Sequence, residues 1–177
     1  MGDTREKLLE AKYFLERMIE TQSGRDPFKY NLSAFLAAAR SVTLIMQKEF
    51  AKVSGFKKWW AEQQVRLQSD DAMRLLNAKR VMTIHTQPVR PRAHINVGIT
   101  EHIAFSGSLS ITVTHADGTV EHGGSELTPP PSTPAKTEVT SEWLWYFDEL
   151  PEKDVIAICE EHVTKLGKLV AECEAQL

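Results

Sequence analysis

The chain has 177 residues, 42% of them hydrophobic and 25% charged, which suits one soluble domain with a real core. A formal net charge of −3 excludes the overall basic footprint of a general nucleic-acid binder, so any RNA contact must come from a local patch. No apolar run approaches the roughly 20 residues that cross a bilayer, MGDTREKLLEAKYF carries no signal-peptide core, and only two cysteines occur, so a cytoplasmic protein with reduced thiols and no membrane contact is expected.

In chain order, residues 3–22 read as an amphipathic helix. Leu8, Ala11, Leu15 and Met18 recur at three- and four-residue steps, and Asp3 or Thr4 is the expected cap. SGRDP (23–27) breaks the pattern with Gly24 and Pro27. A second helix is expected over 31–53, capped by Asn31 or Ser33. Its stripe of Phe35, Ala39, Val42 and Met46, with Leu32, Leu36, Leu44 and Ile45 beside it, is apolar nearly all round, as central or interface helices are. After Ser54-Gly55, a third helix over 56–68 turns Phe56, Trp59, Trp60 and Leu67 inward. A fourth, 71–85, starts from the SDD cap and cannot pass Pro88 and Pro91.

The period then changes to two. One strand is expected around 94–105, followed by a hairpin turning at Asp117-Gly118. A two-residue turn places Leu109, Ile111, Val113, His115, Val120 and His122 on one packed face. Ser108, Ser110, Thr112, Thr114 and Glu121 then share the wet face. TPPPSTP (128–134) reads as an extended connection, and TEVTSEWLWYFDEL as a further strand. Along it Trp143, Trp145 and Phe147 point one way, and Leu144 and Tyr146 the other. The last helix, about 151–176 with Pro151 in its first turn, carries a heptad seam of Ile156, Cys159, Val163, Leu166, Val170, Cys173 and Leu177. Its expected mate is the first helix or a second copy of the chain. Cys159 and Cys173 lie about 21 Å apart along this helix at 1.5 Å per residue, too far to bridge. The expected architecture is mainly α: one domain, 1–177, built as an antiparallel helical bundle of about five helices (3–87 and 151–177). A small antiparallel β-sheet is inserted before the last helix (88–150).

The chemistry centres on RVMTIH. Arg80 offers a planar fork for phosphate oxygens, and His85 can move a proton near neutral pH. Residues five apart in a regular helix diverge by about 140°, so the two share a face only where the helix relaxes. Asn77, one turn before Arg80, is a candidate polar partner. The acid-free segment 79–94 adds Lys79, Arg90 and Arg92, a basic stretch that would steer RNA phosphates. Trp59 and Trp60 are candidate base-stacking groups, but their helical spacing beside Phe56 favours the core. His115 and His122, diagonal on one hairpin face, would supply at most two metal ligands. Zinc sites need three or four, and HExxH and phosphate-loop motifs are absent, so neither metal nor cofactor is expected.

A helical bundle with an Arg-x4-His element ending a late helix resembles the HEPN-like superfamily, over residues 3–87 and 151–177. The resemblance implies a homodimer whose paired Arg80 and His85 form a metal-independent endoribonuclease. Its implied setting is a toxin–antitoxin or antiviral defence system, with RNA as substrate and an antitoxin-like protein as partner. The residue after the arginine is usually polar in that superfamily and is Val81 here. The superfamily also contains inactive members, so an interaction or ligand-binding module with the same fold is the alternative.

Overall fold

The computed structural model describes residues 2–101, 109–125 and 137–176. Most of the chain is helical, with five helices among the described residues. They are α1 (Asp3–Glu20), α2 (Arg25–Glu49), α3 (Phe56–Gln68), α4 (Asp71–His85) and α5 (Val155–Gln176). Four strands separate the last two: β1 (Arg92–Glu101), β2 (Leu109–Thr114), β3 (Val120–Ser125) and β4 (Thr137–Tyr146). They form two two-stranded sheets, β1 with β4 and an antiparallel β2–β3. Contacts divide the chain into two compact units, residues 1–95 with 142–177, and residues 96–141. The four strands lie within the 88–150 segment read from the sequence as the insertion.

The apolar steps of α1 build the core as expected: Leu8, Ala11, Leu15 and Met18 are buried. The cap differs. Gly2 is the N-cap, and the first turn is satisfied from the far end of α2, where Glu49 accepts from the Thr4 amide (2.8 Å) and hydroxyl (2.6 Å). That contact fixes α1 antiparallel to α2, and Arg5 paired with Glu174 does the same for α1 and α5. The Thr4 hydroxyl and amide hold the Glu49 carboxyl below the usual glutamate range. Its contribution is present above the ordinary glutamate pKa and is lost as the pH falls through the depressed one. Glu49→Ala is therefore expected to cost about 1 kcal/mol near pH 7, the size of a lost cap. Urea denaturation should show the difference from wild type closing in acid; a cost unchanged at pH 3 would refute this role.

α2 begins six residues earlier than its sequence suggests. Pro27 falls in its first turn, where an amide has no intrahelical partner to lose, so the proline starts the helix instead of breaking it. Asn31 is consequently inside α2 and serves α1: its side-chain amide donates to the Thr21 hydroxyl at 3.1 Å. α3 and α4 have the bounds read from the sequence, and Asp70 caps α4 by accepting from the Met73 amide at 3.0 Å. Trp59 and Trp60 are buried with Phe56, Met46, Leu169 and Cys173, which settles them as core. α5 begins at Val155; the Asp154 carboxylate takes the Ile156 amide (2.6 Å), and Pro151 lies before the helix. The seam from Cys159 to Cys173 is buried, with Val155, Ile158 and Leu169 beside it; α1 packs against α5, as do α2 and α4, and Cys173 clusters with Met46, Phe56 and Trp59. Both thiols are free, and burial pushes Cys159 far up and Cys173 to about 11, so neither is a thiolate at neutral pH.

At the end of β4 and just past it the alternation holds: Trp145 and Phe147 are buried while Leu144 is exposed. The hairpin register does not. Thr112 faces His122, Thr114 faces Val120, and His115 closes on Thr119, its amide donating to the Thr119 carbonyl at 2.8 Å. Three residues, Ala116 to Gly118, make the turn, with Gly118 at φ +89°, the left-handed position such a loop requires. One extra loop residue flips every β3 side chain relative to the two-residue expectation. His122 joins Thr112 (Oγ1 to Nδ1, 3.1 Å), whereas His115 joins Glu121 (3.5 Å). The histidines occupy opposite faces and cannot share an ion. Ile111, Val113 and Val120 are about half exposed, so the expected packed face is absent from this hairpin. The TPPPSTP connection and His102 lie outside the described residues.

Candidate anion-binding cavity

Four helices each present one side to a cavity of about 320 Å³. α2 supplies Leu36, Ala39, Arg40, Thr43 and Gln47; α3 supplies Trp60, Gln64 and Leu67; α4 supplies Met73, Arg74, Leu76, Asn77 and Arg80; α5 supplies His162 and Leu166. The volume is in the range of small-molecule sites. The lining combines aliphatic and indole groups with guanidinium and amide ones. Among the described residues lining it there are three arginines and no carboxylate.

The arginines differ in how their charge is met. Arg74 is paired with Asp71, three residues before it on the outer side of α4. Arg40 donates to the Thr43 hydroxyl at 3.2 Å, a neutral partner. Arg80 is half-buried, its Nε is buried without an acceptor, and among the described residues it has no hydrogen bond or ion pair at all. Buried polar atoms are rarely left so, since each costs about 1–3 kcal/mol. Five side chains carry such atoms among the described residues: Arg17, Trp59, Trp60, Arg80 and His162. Three of them, Trp60, Arg80 and His162, line this one cavity.

His162 was not singled out by sequence reading. It sits three residues after Cys159 and four before Leu166, within the apolar face of α5, and its ring meets Phe35 edge-on at 6.3 Å. That position, a titratable residue inside a hydrophobic seam, was the available signal. Burial pushes its pKa down to about 4; Asp70 pulls it upward and Lys165 lowers it further. The ring is neutral at pH 7. The unfolded chain binds a proton below about 6.5 that the folded chain refuses until about 4, so stability must fall across that window. Measured by urea denaturation, His162→Gln should lose less stability between pH 6.5 and 4.5 than wild type; parallel curves would contradict the assignment.

The sequence-predicted residues separate. Arg80 and Asn77 line the cavity. α4 stays helical through His85, which is exposed and not in the lining, so one chain does not bring Arg80 and His85 together. Lys79 bonds Glu149 at 2.8 Å and lies 4.9 Å from the centre of the Phe147 ring. Arg92 pairs with Asp148 at 2.7 Å. Acids from the segment after β4 thus meet two of the four cations in the acid-free stretch, and Arg90 stays exposed. Asp70, although partly buried, is held below the usual carboxylate range, because Lys165 and the Met73 amide outweigh its desolvation. No group of three or more His, Cys, Asp or Glu among the described residues is placed to hold a metal.

The family model for bacteriophage lambda protein ea47 matches residues 6–88, just under half of the chain. The match runs from α1 to the end of α4 and so includes every arginine of the cavity but not His162. No curated protein and no solved structure matches the chain. No described helix is long and apolar enough to cross a membrane.

Proposed function

We propose that this protein is a HEPN-like antiparallel helical bundle, with its β-insertion before the last helix, that acts as a cytoplasmic ligand-binding module. Its cavity captures a small phosphate-bearing anion and cuts no RNA. The observation that carries this reading is the Arg80 guanidinium, half-buried and without a partner among the described residues, in a cavity that Arg40 and Arg74 also line. A half-buried cation with no counter-charge beside it is a candidate ligand contact, since a bound anion supplies the missing charge. Thermal unfolding of the full chain in inorganic pyrophosphate tests it, against sodium chloride of equal ionic strength. Saturating pyrophosphate should raise the midpoint by about 5 °C, the shift expected near 100-fold excess over Kd. A midpoint equal to the chloride control would reject the reading.

The endoribonuclease reading is favoured by one observation: His85 is exposed on the last turn of α4, where a second protomer can approach it. In that reading a homodimer supplies His85 of one chain to Arg80 of the other, with an antitoxin-like protein holding it in check. The likeness of residues 6–88 to a bacteriophage lambda protein supports a phage-related setting for either reading. RNA cleavage that survives EDTA and vanishes in His85→Ala would establish the nuclease; no cleavage by the wild type would remove it.

A further inference from the structure

The anion in the cavity, we infer, is a phosphate monoester, and His162 is the residue that distinguishes it from a diester. The inference rests on the cavity reading above. The two ligand types differ in one respect that this site can feel. A terminal phosphate approaches two negative charges at neutral pH, with a second pKa near 6, whereas a diester carries one charge and no proton that titrates there.

The groups around His162 set its response. Arg40 faces the cavity from α2, and Arg74 and Arg80 from α4. α3 contributes only the uncharged Gln64 and Gln68 beside its apolar residues. Asp70, at the start of α4, is already engaged by Lys165 of α5, and Lys165 is also shared with Glu161 at 2.6 Å. The empty cavity is therefore net positive in its lining. Burial is the chief cause that keeps the imidazole neutral, with Asp70 opposing it and Lys165 adding to it. Neither ring nitrogen has a hydrogen-bond partner among the described residues, and Nδ1 is buried.

A monoester changes this balance. One of its charges is met by Arg80. The second makes a proton on His162 favourable, and the imidazolium then donates a charge-assisted hydrogen bond to the phosphate. The proton comes from solvent and no covalent bond changes. A diester lacks the second charge, so His162 stays neutral and contributes little. The apolar lining residues, Trp60 and Leu36 among them, take the organic part of the ester.

Calorimetric titration of the full chain at pH 6.5 with phenyl phosphate and with methyl phenyl phosphate tests this, run in two buffers of different protonation enthalpy. Phenyl phosphate should bind about tenfold more tightly, the worth of one charge-assisted contact, and take up a fraction of a proton. In His162→Gln the discrimination should fall within about threefold while binding persists. Equal affinity for both esters without proton uptake would overturn the inference and leave the cavity reading standing. Failure of both esters and of pyrophosphate to bind would overturn both. Should the variant not fold, proton uptake by the wild type decides the matter alone: its presence with the monoester supports the inference, and its absence refutes it.

Discussion

Trp145→Ala is expected to destabilise the protein by about 3–5 kcal/mol, the cost of deleting a fully buried aromatic whose neighbours cannot close the gap. Trp145 is 1% exposed and stacks on Phe28 of α2, with ring centres 4.3 Å apart and planes 7° from parallel. Trp143 also stacks on it, with ring centres 5.6 Å apart. Its indole nitrogen donates to the Gln22 carbonyl at 2.8 Å, in the turn between α1 and α2. One side chain thus ties the end of β4 to the first helical hairpin, 123 residues earlier in sequence. The substitution opens a cavity, ends two aromatic stacks and leaves a carbonyl without its donor. Leu144→Ala, one residue away but 41% exposed, should cost less than about 1 kcal/mol. Chemical denaturation of the two variants checks the contrast; similar losses would mean that Trp145 is not the tie described.

Arg80→Met should have the largest effect on binding and the opposite sign on stability. The methionine keeps much of the aliphatic stem and removes a guanidinium with no partner, so stability should be unchanged or rise by about 1 kcal/mol. Pyrophosphate binding should weaken by about 100-fold, in line with losing a charged hydrogen-bonded contact of roughly 3 kcal/mol. A structural arginine would behave the other way round. Loss of more than about 2 kcal/mol of stability with pyrophosphate binding retained would show that the side chain holds the fold.

Where a pattern is local and long, the sequence reads directly into the structure. α3 and α4 have their expected bounds because Gly55 and Asp70 punctuate them, and Trp59 and Trp60 fall on the helical stripe that packs. The alternation of Trp143 to Phe147 likewise survives. α2 starts before its apolar pattern suggests, because proline breaks a helix interior but suits a first turn, and only the position of the turn decides which. The hairpin faces were misread because Asp-Gly fits both two- and three-residue loops, and one residue of difference inverts a strand.

The site was half legible. The motif-like spacing joins Arg80 to His85, and of that pair only Arg80 lines the cavity, with Asn77 one turn before it. Arg40 and His162 belong to other helices, α2 and α5, and although His162 stands out as a titratable residue in an apolar seam, no local spacing links either to Arg80. Lys79 and Arg92 read as free cations because their partners, Asp148 and Glu149, stand more than fifty residues later in the chain.

The most direct measurement is the Nε–H resonance of each arginine followed by NMR as pyrophosphate is titrated into the full chain. The account predicts saturable shifts at Arg80 and Arg40, with exposed Arg90 unmoved. Shifts confined to Arg90 and other outer arginines, with Arg80 unchanged at saturation, would contradict it.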